Sequence, residues 1–393
     1  MIAIQNKNKT LGTCLFLVLL ASGLSRVDAL TPVILFGLIP LLTFLAYKQN
    51  YSLHNTYFRT LSILFLLVLL TYFFSTYPEV SVRNIRQLLG VYLLCYSCCK
   101  LCQKEENIKW FYTAYVLCFL AVIYYINTHG LLAAFDFTSD RIASDEDAGM
   151  NANEPAYYMF FLANAVYYLG EIVNSKKVKL ALKYAFFAMI PLAFVVALLT
   201  GARQALIIMI PTLGALTLIR YNISGSKSFL VLLLTVIVAV MLMPSVTDIY
   251  NSSILAQRAD SNALEDTRVL LLKDAFHVGL ENPLLGVGPG CYFMHSRFNG
   301  FSHCSYTEMF ANSGAIAALI YIFIIVRFIC IQWSRYRRTK DSLFLSLAVS
   351  GFMYAIYNFF YVFYQSMWMM TFFFLIATHS DTYYKNHYSY KYE

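Results

Sequence analysis

The sequence predicts an all-helical, polytopic membrane protein, on three observations. Hydrophobic residues make up 59% and charged residues 13% of 393 positions, against roughly 25% charged in an average soluble domain. Apolar runs long enough for ~30 Å of hydrocarbon recur along the whole chain. These runs are continuous and do not alternate with period two, which argues against a barrel.

Taken in order, hydropathy windows give about twelve spans, near 11–25, 29–47, 60–77, 81–99, 109–128, 155–173, 181–200, 203–219, 228–246, 306–328, 342–363 and 366–379. The first is not read as a signal peptide, because no A-x-A-like site follows it. With the N-terminus in the cytoplasm, 20 of the 29 lysines and arginines fall on the inner side. That bias predicts two cytoplasmic termini. The net charge of +8 is then a topology signal and not a nucleic-acid footprint. Residues 1–393 read as one integral membrane domain. A smaller outer loop covers 129–154, a large outer loop between spans nine and ten covers 247–305, and a cytoplasmic tail covers 380–393.

Candidate chemistry gathers on the outer side. NALEDTRVLLLKDAF (262–276) reads as an amphipathic helix. At 100° per residue, Leu264, Leu271, Leu272 and Ala275 fall within about 60° of Arg268, and Asp266, Lys273 and Asp274 fall on the far side. A cation in the middle of an apolar stripe either snorkels or meets an anion. Arg203, in LLTGARQAL, stands at the outer start of the eighth span, where free N–H groups and the helix dipole add to its charge. Arg83, Arg86, Arg141, Arg258 and Arg297 also face outward. Downstream, GVGPG supplies Gly286, Gly288 and Gly290 for a sharp turn, without the lysine or spacing of a phosphate-binding loop.

GFSHCSYTEMFANSG (300–314) then leads into span ten. Ser305 and Glu308 fit a capping box, which gives Glu308 a structural role. His303 has none. It precedes the helix N-terminus, where the dipole favours a neutral imidazole able to take a proton.

TGARQAL, TRVLLLKDAF, NPLLGVGPG and SHCSYTEMFANSGAIA follow one another in the order of the bacterial O-antigen ligase and polysaccharide polymerase superfamily, which this chain resembles over roughly residues 195–330. His303 and Gly314 match that family's histidine, ten residues, glycine pattern. MNANEPA (150–156) is similar to its asparagine-rich start of span six. The resemblance implies a glycosyltransferase that takes a glycan from undecaprenyl pyrophosphate and passes it to an acceptor sugar hydroxyl outside the plasma membrane. It implies His303 as the catalytic residue. Arg203 and Arg268 would hold the pyrophosphate, Arg86, Arg141 and Arg258 would be further anion or glycan contacts, and Gly286, Gly288, Gly290 and Gly314 would shape the loop. Inversion without a metal or cofactor is expected. Expected partners are the lipid-linked oligosaccharide, an acceptor glycan, membrane lipid and other glycan export and assembly proteins, with no nucleic acid. A repeat-unit polymerase is favoured by GVGPG and the S-H-x-x-Y form. A ligase passing finished chains to another acceptor, and a lipid-linked glycan flippase or transporter, are the alternatives.

Other signals weigh less. CYSCCKLC (95–102) is too compressed for a four-ligand zinc site. Asp145, Glu146 and Asp147 form a D-x-D that reads as a solvated acidic cluster. Cys291 and Cys304 are the outer cysteines, and a bond between them would close the loop ahead of His303.

Overall fold

The computed structural model describes residues 2–23, 30–49, 55–128, 154–200, 208–222 and 267–388. Among them every regular element is helical. The helices are α1 (Ile2–Gly23), α2 (Thr31–Tyr47), α3 (Thr56–Phe74), α4 (Pro78–Leu101), α5 (Glu105–Thr128), α6 (Glu154–Ile172), α7 (Lys176–Thr200), α8 (Ile210–Arg220), α9 (Thr267–Glu281), the short α10 (Tyr292–His295), α11 (Ser305–Thr339), α12 (Ser342–Tyr357) and α13 (Met367–Tyr388). Each predicted span overlaps one of these helices except the ninth, 228–246, which lies outside the described residues, as does nearly all of the smaller loop.

Helix α13 runs through the centre. Residues Trp368 to Ser380 are buried without a break, as expected of a helix apolar on every side. It packs on α4, and α4 packs on α2 and α3; α11 packs on α3, α9 and α12. Buried polar pairs tie helices together: Asn55 donates to Thr378 (3.2 Å), and Ser350 donates to Asn164 (2.6 Å). At one end Arg335 meets Asp381 at 2.7 Å, and the Tyr383 and Tyr388 hydroxyls both donate to Asp341. The opposite end gathers the starts of α2, α4, α11 and α13, and holds the site.

Helices α3 and α11 are each long and apolar enough to cross a membrane. Their outward stripes are apolar too: Ile63, Leu66, Leu70 and Phe73 on α3, and Ile316, Leu319, Phe323 and Val326 on α11, all exposed. Contiguous apolar exposure at helical spacing suits a hydrocarbon solvent.

Two interruptions matter for the site. In α2, residues Ile34–Leu38 form a π-helical turn in which the Ile39 N–H donates to the Ile34 carbonyl. Pro40 explains it: without an N–H it cannot donate to Phe36, so the helix widens by one residue there. In α11, Gly314 has φ 81° and ψ 176°, and the helix is kinked at that point.

Candidate active site

The kink at Gly314 gives the glycine turn its place. In an unbroken helix the Ala311 carbonyl would accept from Ala315. Here Ala315 donates instead to the Pro283 carbonyl (2.8 Å), Val287 donates to Ala311 (2.9 Å), and Gly288 donates to Asn312 (3.0 Å). Asn312 Oδ1 also accepts from the Tyr292 N–H (2.7 Å). The turn is thus stitched into the broken helix. The approach is close enough to require glycine on both sides: a Cβ at Gly286 would lie 2.4 Å from the Asn312 carbonyl carbon, and one at Gly314 would lie 2.0 Å from the Leu284 oxygen. Gly286 (φ 65°), Gly288 (φ 108°) and Gly290 (φ 73°) all have positive φ, a conformation glycine adopts without strain.

The far side of the turn grips the start of α4. Gly288 sits against Ser75 and Gly290 against Asn84. Cys291 Sγ lies 3.2 Å from Ser75 Oγ and 3.1 Å from Ser81 Oγ, and Thr76 bonds His295 at 2.9 Å. Cys291 and Cys304 are both free thiols. The turn is closed by these polar contacts and not by a disulfide.

Helix α9 lies on the first half of α11, with Gly279 flat against the Phe310 ring. Its buried stripe is Leu271, Asp274, Ala275 and Val278. This corrects the sequence reading, which put Asp274 on the wet face and Arg268 mid-stripe. The stripe is rotated by on the order of 70°, because the helix is held between α11 and the α10 segment. Asp274 tolerates burial because its carboxylate accepts from the Tyr292 hydroxyl (3.1 Å) and lies 3.9 Å from Arg297. Burial, with the adjacent Asp274 charge, pushes the Tyr292 phenol above its ordinary value. Arg268 begins α9, partly buried at the margin of the stripe.

His303 stands in a left-handed backbone conformation (φ 54°), one that histidine adopts more readily than most residues but that still costs energy. The bonds around it impose that geometry. Glu308, buried, accepts from the Ser302 N–H (2.8 Å), and Ser302 Oγ bonds both the N–H and the carbonyl of Cys304. The expected capping box is therefore altered. Cys304 is the cap residue of α11, Glu308 reaches back past it to Ser302, and Ser305 Oγ instead joins the Tyr361 carbonyl to the Phe363 N–H. The reason is tertiary: the α12–α13 connection offers Ser305 partners that its own helix does not.

His303 opens on a cavity of about 800 Å³. Arg83, Arg86 and Gln87 of α4 form one wall. The other walls are Thr31, Pro32, Leu35 and Phe36 of α2, Tyr158 of α6, Phe301, and the entry to α13 from Tyr361 to Trp368. Gln87 donates to the Gln365 carbonyl (2.9 Å), tying two of these walls together. Arg83 and Arg86 are three residues apart, on one face of α4 in its second and third turns. A pair of guanidiniums and an imidazole lining one partly apolar cavity suit an anionic group with an apolar extension. Arg268 does not line this cavity. Arg203, Arg141 and Arg258 lie outside the described residues, as do Asp145, Glu146 and Asp147.

The motif order noted in the sequence now meets an independent comparison. Residues 187–322 match the O-Antigen ligase family. The match spans Arg203, Arg268, the glycine turn, His303 and Gly314, and it bears out the resemblance to the O-antigen ligase and polysaccharide polymerase superfamily. No curated protein is similar enough to the chain to count as a match. Arg83 and Arg86 lie outside the matched segment. Only the fold brings them to His303. Sequence reading had counted both among the outward arginines, and the i, i+3 spacing close after Pro78 was the signal that could have singled them out.

Proposed function

We propose that this chain is a membrane glycosyltransferase that moves a glycan from a lipid pyrophosphate carrier, of the undecaprenyl kind, to an acceptor sugar hydroxyl. The observation that carries this reading is the shared cavity of His303, Arg83 and Arg86. The chemistry is a single displacement. His303 takes the acceptor hydroxyl's proton as its oxygen attacks the anomeric carbon, and the bond from that carbon to the pyrophosphate oxygen breaks. The electron pair leaves with the pyrophosphate, whose developing charge is met by Arg83 and Arg86 of the cavity wall, with Arg203 of the family-matched segment as a further cation; Arg268, off this cavity, is not assigned to the leaving group. Attack opposite the leaving group inverts the anomeric centre. The exposed apolar stripes of α3 and α11 support a bilayer setting, and the basic-residue bias supports cytoplasmic termini with the cavity on the outer side of the plasma membrane.

A repeat-unit polymerase is the reading we favour, from the GVGPG and S-H-x-x-Y forms. The ligase reading is favoured instead by the name of the matched family. The size distribution of lipid-linked and exported glycan in cells expressing His303→Ala at matched membrane levels separates them. Single repeat units accumulating on the carrier mean a polymerase. Long chains stranded on the carrier mean a ligase. An unchanged distribution removes His303 from catalysis and leaves a flippase or scaffold.

A further inference from the structure

The cavity has two unlike walls, and only one is used by the chemistry above. Besides Arg83 and Arg86, the cavity is lined by Pro32, Leu35 and Phe36 of α2, with Met367 and Trp368 at the start of α13. Leu35 and Phe36 belong to the π-helical turn, a distortion that occurs often at functional positions. At the lip, Phe36 is 73% exposed although it lines the cavity. Beyond it an apolar stripe continues down the outside of α2 through Leu41, Phe44 and Tyr47, all at least half exposed. Gly37 opens onto the same side, and a Cβ added there would meet nothing within 4 Å. A cationic wall and an apolar track that leads out of the same cavity together fit one amphipathic ligand, with an anionic head and a long hydrocarbon tail.

We infer that the outer face of α2, from Pro32 and Phe36 at the cavity lip along Gly37, Leu41 and Phe44, is the binding track for the hydrocarbon chain of the lipid-linked substrate. The assignment rests on the reading of the cavity as a lipid pyrophosphate site, and adds where the tail lies. Pro40 is part of the device. Its missing N–H sets the π turn, which in turn sets the angle at which Phe36 leaves the cavity. Gly37 keeps the track unobstructed just below that point. A small residue is needed there for the ligand and not for the fold, because among the described residues no atom crowds it.

The test uses the full chain in lipid nanodiscs and a long-chain polyprenyl pyrophosphate carrying a diazirine in its tail, with the matching polyprenol as the neutral-headed control. The expected result is head-dependent labelling within residues 31–44. Gly37→Trp should cut that labelling several-fold and raise KM for a long-chain donor more than for a ten-carbon analogue, whereas Gly214→Trp, on α8 and outside the track with nothing within 4 Å of its added Cβ, should behave as the native protein. Head-dependent labelling that maps instead to α3 or α11, or that Gly37→Trp leaves intact, would overturn the track while sparing the pyrophosphate site. Labelling no stronger with the pyrophosphate than with the polyprenol would overturn the site reading itself, and the track with it.

Discussion

Replacing Gly314 by alanine tests the interlock between α11 and the glycine turn. The new methyl would stand 2.0 Å from the Leu284 carbonyl oxygen, at φ 81°. Left-handed backbone costs an alanine ~1–2 kcal/mol before any contact is counted. The steric overlap cannot be relieved by a side-chain rotation, since its partner is backbone. Moving the turn away breaks three backbone hydrogen bonds, those of Val287, Gly288 and Ala315, each worth about 1 kcal/mol net. The strain falls on the docked state and the loss of these bonds limits it, so docking is weakened by about 2–3 kcal/mol, a factor of roughly thirty to a hundred and fifty in the docking equilibrium. Cys291 reports it directly: its thiol is fully buried between the turn and Ser75 and Ser81. Peptide-resolved thiol labelling in native membranes should therefore find Cys291 protected in the parent and reactive in Gly314→Ala. Glycan output should fall with it, because the turn braces the start of α4 and hence Arg83 and Arg86. Gly214→Ala, where the added Cβ meets nothing within 4 Å, is the control. A protected Cys291 together with normal glycan in Gly314→Ala would refute the interlock.

Glu308→Gln keeps an acceptor for the Ser302 N–H and should retain most glycan output. Glu308→Ala leaves that buried donor unmade and opens a void, and should lower stability by about 2–3 kcal/mol, read as a melting shift in detergent, with output lost. Tyr292 ties pH to the loop: its phenol is raised in the folded protein, so its stabilisation is complete below about pH 10 and falls as pH rises above that value. Cys291 labelling measured against pH should show that loss, and Tyr292→Phe should flatten the curve. Arg86→Gln should weaken binding of a lipid pyrophosphate about tenfold or more and Arg86→Lys less, since lysine keeps the charge but not the two-pronged geometry; direct binding titrations at two salt concentrations measure both.

The sequence by itself determined the helices. Apolar runs and the breaks between them depend on neighbours within a few residues, so α3, α4 and α5 begin and end within a few positions of the predicted spans, and α11 begins within one but runs on to Thr339, past the predicted end at 328. It also singled out His303 as a candidate, a polar, proton-accepting residue ahead of an apolar helix. Local periodicity could not determine which way α9 rolls. That depends on α11 and the Tyr292 hydroxyl, which turned Asp274 inward and moved Arg268 to the margin. Nor could it pair Ser305 with Tyr361, or break the Ser305–Glu308 cap, because the competing partners lie more than fifty residues downstream. The His303–Gly314 spacing was visible as a pattern, but its cause was not. The glycine is the gap through which a second stretch of backbone enters the helix, a contact that exists only after folding. Arg83 and Arg86 are more than two hundred residues from His303 and outside the family-matched segment, and although their i, i+3 spacing marks them as a pair and Arg86 was expected as an anion contact, no local feature ties them to the histidine. Only the packing of α4 against α13 and the glycine turn brings their charge to the histidine's cavity.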